Sequence, residues 1–175
     1  MWNLKSLKIC WQSIYKKLMD NSSAIALAAA LVLAFILITA AVGKIFYPSK
    51  LLARLDFVVG VFEICFTIML IVGRRLWQVW IAAALIFASW LGYSVFWYYL
   101  ELPCSCMGKL IELPKGFTIF LDLFFFFLSL WLAQLLGAKN KIIYLAFLLG
   151  FLFALMGAAF GDWVYTTIVL PGSAG

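Results

Sequence analysis

Five long apolar runs set the pattern of this chain, at residues 24–46, 57–73, 76–100, 117–136 and 142–160. Each comes close to, or exceeds, the roughly 20 residues that a helix needs to cross a bilayer. Charged or helix-breaking residues punctuate the runs. Asn21-Ser22-Ser23 stands where a helix cap belongs. Gly43-Lys44 ends the first run, and Pro48 breaks the chain after it. Residues 49–55 read as a short surface helix. Arg74-Arg75 makes a tight basic turn, and Lys139 and Lys141 mark the last one. The pattern predicts an all-α polytopic membrane helix bundle: four spans over residues 22–137, then a fifth transmembrane helix and short tail over 138–175. Residues 1–21 precede it as a basic leader.

Finer features lie within this frame. In the leader, Leu4, Leu7, Trp11, Ile14, Tyr15 and Leu18 recur at helical spacing among Lys5, Lys8, Lys16 and Lys17. That suits either an amphipathic helix lying on an anionic membrane surface or a solvated leader that fixes orientation. The run after it is too long for a signal-peptide core and reads as a retained anchor. Tyr93, Trp97, Tyr98 and Tyr99 end the third run as an interfacial aromatic belt. Gly157 and Gly161 have the spacing of a small-residue packing face. Residues 161–175 read as a tail with an interfacial Trp163.

Composition narrows the function classes. Of 175 residues, 67% are hydrophobic and only 11% charged, more apolar surface than a soluble domain of this size can hide. The net charge of +6 does not indicate nucleic-acid binding, because the basic residues sit in short loops beside the spans. Histidine is absent, which removes the commonest general base and metal ligand. No metal site is expected. The expected environment is a lipid bilayer.

Charge also orients the chain. The side holding the N-terminus receives Lys5, Lys8, Lys16, Lys17, Arg74, Arg75, Lys139 and Lys141; the other receives Lys44, Lys50, Arg54, Lys109 and Lys115. The positive-inside rule places the first side in the cytoplasm of a bacterial inner membrane. The loop at 101–116 then faces the periplasm or exterior, where disulfides persist.

That loop holds Cys104-Ser105-Cys106, punctuated by Pro103, Gly108, Pro114 and Gly116. Two cysteines one residue apart come within the roughly 4.4–6.8 Å that a disulfide allows between alpha carbons. The ring is strained, and strained disulfides tend to be the labile or catalytic ones. A static bridge or two inert thiols is the plainer reading of the same pair. Cys10 reads as an ordinary reduced thiol, and Cys65 as a lipid- or core-facing one.

Ionisable residues fall at matching depth below the loop. At about 1.5 Å per residue, Glu63 lies ~9 Å below Phe57 and Asp122 ~8 Å below Phe117. Asp56, Gly60 and Glu63 share a helix face, at spacings of four and three. Lys44 ends the first run on the same side. An ionisable group within a span is a functional candidate by default. Lys44, Asp56, Glu63 and Asp122 therefore suggest a polar pocket: Lys44 pairs with one carboxylate while another relays protons. A structural ion pair pinning the helices is the alternative.

The order of these residues resembles the MauE/DoxX-like redox-associated membrane proteins. The matching positions are Gly43-Lys44, Glu63, the basic turn after Gly73, Pro103-Cys104-Ser105-Cys106 followed by Gly108, and Phe120-Leu121-Asp122-Leu123. Met107 stands where the family often has a second small residue, and Asp122 where it often has an amide. The resemblance covers the first four spans and implies a four-helix bundle engaged in thiol redox or electron transfer, serving a thioredoxin-like partner outside the membrane. Cys104 and Cys106 would then be the reacting pair. Electrons could pass to or from a quinone or a respiratory-chain subunit, although no residue pattern marks a quinone site. A non-catalytic assembly or anchoring subunit with structural cysteines is the contrasting reading. Transport finds no inverted repeat or broken-helix pair to support it.

Overall fold

The computed structural model describes residues 21–48, 52–101, 114 and 116–170. Five helices fill them: α1 (Ser22–Phe46), α2 (Ala53–Val72), α3 (Trp77–Tyr99), α4 (Phe117–Leu135) and α5 (Asn140–Val164). A π-helical turn, Tyr165–Val169, extends α5. All five are long and apolar enough to cross a membrane, and the described residues contain no strand. Helices answer the bilayer's demand that every backbone polar group be satisfied within its own segment. Thr39 and Thr67 meet the same demand by donating to the carbonyls of Phe35 and Glu63, each at 2.8 Å.

The helices group as a pair and a triad. α1 packs along α2, while α3 packs most extensively on α5 and α4. Glycine explains the closest approach. A Cβ added at Gly92 would lie 1.8 Å from the Ala154 carbonyl oxygen, and one at Gly157 would lie 1.8 Å from that of Ser89. The α3 and α5 backbones therefore touch, as small-residue seams allow. Side chains join the pair to the triad through one core that includes Leu33, Leu70, Trp80, Phe87 and Leu132.

The turns follow from local chemistry. Gly137 adopts φ 98°, which an L side chain resists, and ends α4 in a Schellman motif. Its N–H donates to Gln134 at 3.1 Å, and that of Ala138 to Ala133 at 2.9 Å. At the α2–α3 turn, the Trp80 indole donates to the Arg74 carbonyl at 2.9 Å and the Arg74 guanidinium to Ile71 at 2.8 Å.

Four expectations from the sequence change. Of residues 49–55, those at 49–51 lie outside the described residues, and Ala53 to Leu55 form the first turn of α2 rather than a separate surface helix. The Asp56 N–H already bonds Leu52 at 2.8 Å, so Asp56 lies within the helix, where its charge suits the N-terminal dipole. The tail beginning at Gly161 is instead helical to Leu170. Gly161 does not break α5 because its missing side chain makes room for the Phe96 ring, and Val164 is fully buried beyond it. The aromatic belt divides: Tyr98 and Tyr99 are exposed, but Trp97 is buried and Tyr93 half-buried, because spacing of four turns both inward. Asn21 occupies the cap position of α1, yet its side chain makes no capping bond; its carbonyl accepts from Ala24 and Ile25 instead.

Candidate functional site: an acidic cavity at the loop end of the bundle

At the end of the bundle where α3 leaves for α4, the seam between pair and triad is not filled. A cavity of about 240 Å³ remains there, and all five helices line it. α1 contributes Lys44 from its last turn. α2 contributes Asp56 and Glu63, which lie two turns apart on its buried face with Gly60 between. α3 supplies Phe87, Trp90, Tyr93 and Ser94, α4 supplies Thr118 and Asp122, and α5 supplies Gly157 and Phe160. The four ionisable residues singled out from the sequence therefore border one space.

Their partners differ. Lys44 forms an ion pair with Glu63 through Oε1, and both are about 95% buried, at 5% and 4% exposure. Helix spacing makes this possible: α1 and α2 run side by side, and a Cβ at Gly60 would lie 2.9 Å from Ile45, so little separates the helices beside the pair. A buried ion pair gains little net stability against an apolar pair, but loss of either member leaves a desolvated charge. Asp122 receives instead a hydrogen bond from the Ser94 hydroxyl, 2.7 Å from its Oδ2. Glu63 Oε2 is buried and accepts no hydrogen bond.

The cavity walls are largely aromatic. Phe87 contacts Trp90 edge-on at a centroid separation of 5.3 Å and Phe125 at 5.3 Å. Tyr93 contacts Phe160 at 6.1 Å. Sequence reasoning missed Tyr93 and Ser94 as wall residues. The signal was a hydroxyl in an otherwise apolar span, but its partner lies 28 residues away on another helix.

Cys104 and Cys106, with Cys10, Met107, the basic leader and most of the loop, lie outside the described residues. The loop's two anchors are described. Glu101 ends α3 with a left-handed φ of 57°, and Gly116 opens α4 at φ 88°. A Cβ at Gly116 would lie 3.6 Å from the Tyr98 ring. The start of α4 thus lies against the end of α3, and Thr118 of the cavity wall lies two residues beyond Gly116. Cys65 is a free thiol exposed on the outside of α2. Among the described residues, no three His, Cys, Asp or Glu side chains converge as a metal site.

These features define a multi-pass helical membrane protein with a partly acidic, aromatic-walled cavity near one membrane face. Comparison with protein-family models, curated proteins and solved structures found no match.

Proposed function

We propose that the chain is a thiol–disulfide redox or electron-transfer protein of a bacterial cytoplasmic membrane, of the MauE/DoxX-like kind, in which Cys104 and Cys106 react above the acidic cavity. The observation that carries this reading is the cavity's position. It holds a buried lysine and three carboxylic acids at the end of the bundle where the cysteine loop is anchored. An isolated structural disulfide would need no such groups beneath it, and ionisable residues inside spans are costly unless used.

The chemistry is thiolate attack on a disulfide. One cysteine sulfur bonds to a sulfur of a partner's disulfide and expels the partner's second sulfur as a thiolate. The neighbouring cysteine then attacks the mixed disulfide, giving an oxidised Cys104–Cys106 pair and a reduced partner dithiol. Two electrons pass to the partner, and each cysteine gives up its thiol proton. Asp122, which accepts a hydrogen bond from Ser94, is the proposed relay for those protons, which end on the two sulfurs of the partner dithiol. The partner is a thioredoxin-like protein of the periplasm or exterior.

Orientation with the loop outside draws support from the buried state of Lys44. An ion-paired lysine inside the bundle does not act as an interfacial charge. The outer side is then left with Lys50, Arg54, Lys109 and Lys115, against eight basic residues on the inner side.

The test is trapping in cells. Cys104→Ser and Cys106→Ser variants are expressed, alkylated rapidly and resolved on non-reducing gels. One of them is expected to accumulate a mixed disulfide that reductant releases. The reading fails if neither traps a partner and the wild-type pair keeps one redox state under both oxidising and reducing conditions. Maleimide labelling of Cys104 from the cytoplasmic side alone would overturn the orientation.

A further inference from the structure

The cavity has a mouth and a floor. Lys44 lies in the last turn of α1, Asp56 in the first turn of α2, and Thr118 is the second residue of α4. All three border the cavity, which therefore reaches to within about a turn of the loop-end face. Leu37, Glu63 and Phe125 border it seven residues deeper on the same helices, as Phe87 does below Ser94 on α3. At about 1.5 Å per residue, the floor lies ~10 Å below the mouth on four helices alike. Beneath it, Leu33, Leu70, Trp80, Ala83 and Leu132 are completely buried. Thr67 there is bound to the Glu63 carbonyl, and Ser129 is fully enclosed. No span carries Asp, Glu, Lys or Arg between the floor and the opposite end of the bundle. At the mouth, a second apolar cluster packs across the ends of α2, α3 and α5 through Leu52, Trp97 and Val164. Among the described residues, α1 and α4 contribute nothing to that cluster. The way in therefore lies between the end of α1 and the start of α4.

The lining selects the contents. Wholly apolar cavities stay dry, and water enters where several polar groups can bond it. The space of about 240 Å³ has room for several waters, at roughly 30 Å³ each in the liquid. Thr118 and Asp122 are only partly buried. Ser94 donates to one oxygen of Asp122, which leaves the other to the cavity. A carboxylic acid and a carboxylate both gain from a water partner, so the argument holds in either proton state. Lys44, Asp56 and Glu63 are instead almost wholly enclosed by the walls. An apolar ligand would suit Phe87, Trp90 and Phe125 but would leave Thr118 and Asp122 unmatched.

We propose that this cavity is a water-filled vestibule, open only at the loop end of the bundle, and that Asp122 is the acid its water reaches. The vestibule stands whether or not Cys104 and Cys106 exchange disulfides. Where both hold, its water joins Asp122 to the loop-end face, and the relay exchanges protons with that side of the membrane alone.

The test is cysteine accessibility in proteoliposomes, using the full chain with Cys10→Ala, Cys65→Ala, Cys104→Ser and Cys106→Ser. This background makes the result independent of disulfide exchange. Single cysteines are then placed at the mouth (Thr118→Cys), on the facing wall (Val59→Cys) and in the packed half (Leu33→Cys). The probe is 2-(trimethylammonium)ethyl methanethiosulfonate, which does not cross membranes, applied to each face in turn. Glu101→Cys marks the loop-end face. Thr118→Cys and Val59→Cys are expected to react from that face alone, roughly tenfold or more faster than Leu33→Cys, because a thiol must be hydrated to form the reactive thiolate. Adding Asp122→Leu to Val59→Cys should slow its reaction roughly tenfold by removing a polar partner of the water, while Asp122→Asn should leave it nearly unchanged. Circular dichroism and gel filtration establish that each variant is folded. Wall cysteines as slow as Leu33→Cys, reaction from the opposite face, or equal rates with Asp122→Leu and Asp122→Asn would each overturn the proposal.

Discussion

The two ends of this bundle are built on opposite principles. At the end holding the α2–α3 turn, Ala26, Ala30, Leu33, Leu70, Trp80, Ala83 and Leu132 are completely buried, and large side chains fill the space between small ones. At the loop end, the same five helices enclose a cavity bordered by Lys44, Asp56, Glu63 and Asp122. One sequence therefore achieves dense packing in one half and leaves it unachieved in the other. Phe87, Trp90 and Phe125 stand at the division, continuous with the packed core through Phe66 and bordering the cavity on their other side. The cavity is not a failure of packing residues, because aromatic side chains large enough to fill it already surround it. Charged groups that cannot be packed into hydrocarbon hold the space instead.

The strongest way to break this comparison is at the ion pair. Glu63→Ala leaves Lys44 charged and desolvated, and is expected to destabilise the bundle by about 3–5 kcal/mol. A Lys44→Met/Glu63→Met double variant should recover most of that loss. Reversible unfolding in mixed micelles would measure both; a Glu63→Ala variant as stable as wild type would show that the pair does not hold α1 to α2.

A second experiment contrasts the ends directly. Trp80→Ala opens a void in the packed half and removes the bond to Arg74, at an expected cost of about 3 kcal/mol. Leu121 lines the cavity, so Leu121→Ala enlarges a space that already exists and should cost only about 2 kcal/mol, the low end for a leucine truncation. Equal costs would mean that the loop end is as tightly packed as the other. The smallest expected effect belongs to Ser94→Ala, which removes the donor to Asp122 and should cost about 1 kcal/mol. Ser94→Thr, which keeps the hydroxyl, should recover part of it.

The bundle's glycines add a related contrast. Gly137 has open space around it and is required by backbone conformation alone, whereas Gly92 and Gly157 are required by a neighbouring helix. Only the first kind is marked by its place beside a turn. Gly157 was suggested by its spacing from Gly161, but its counterpart Gly92 has no such mark, because the contact joins residues more than sixty positions apart.

The sequence by itself determined the class of protein. Runs of about twenty apolar residues have no stable place but a bilayer, and there the backbone has no choice but helix. It also determined the depth of the ionisable residues, since rise per residue is fixed. It did not determine their partners. Depth places Lys44, Asp56, Glu63 and Asp122 in one half of the membrane, but helix rotation and neighbour choice decide which of them meet. The pairing of Lys44 with Glu63, the assignment of Ser94 to Asp122 and the unfilled space among them arise from contacts between different helices. Those contacts depend on side-chain shape along whole interfaces, such as the glycine seam between α3 and α5, and no local pattern in a single span encodes them.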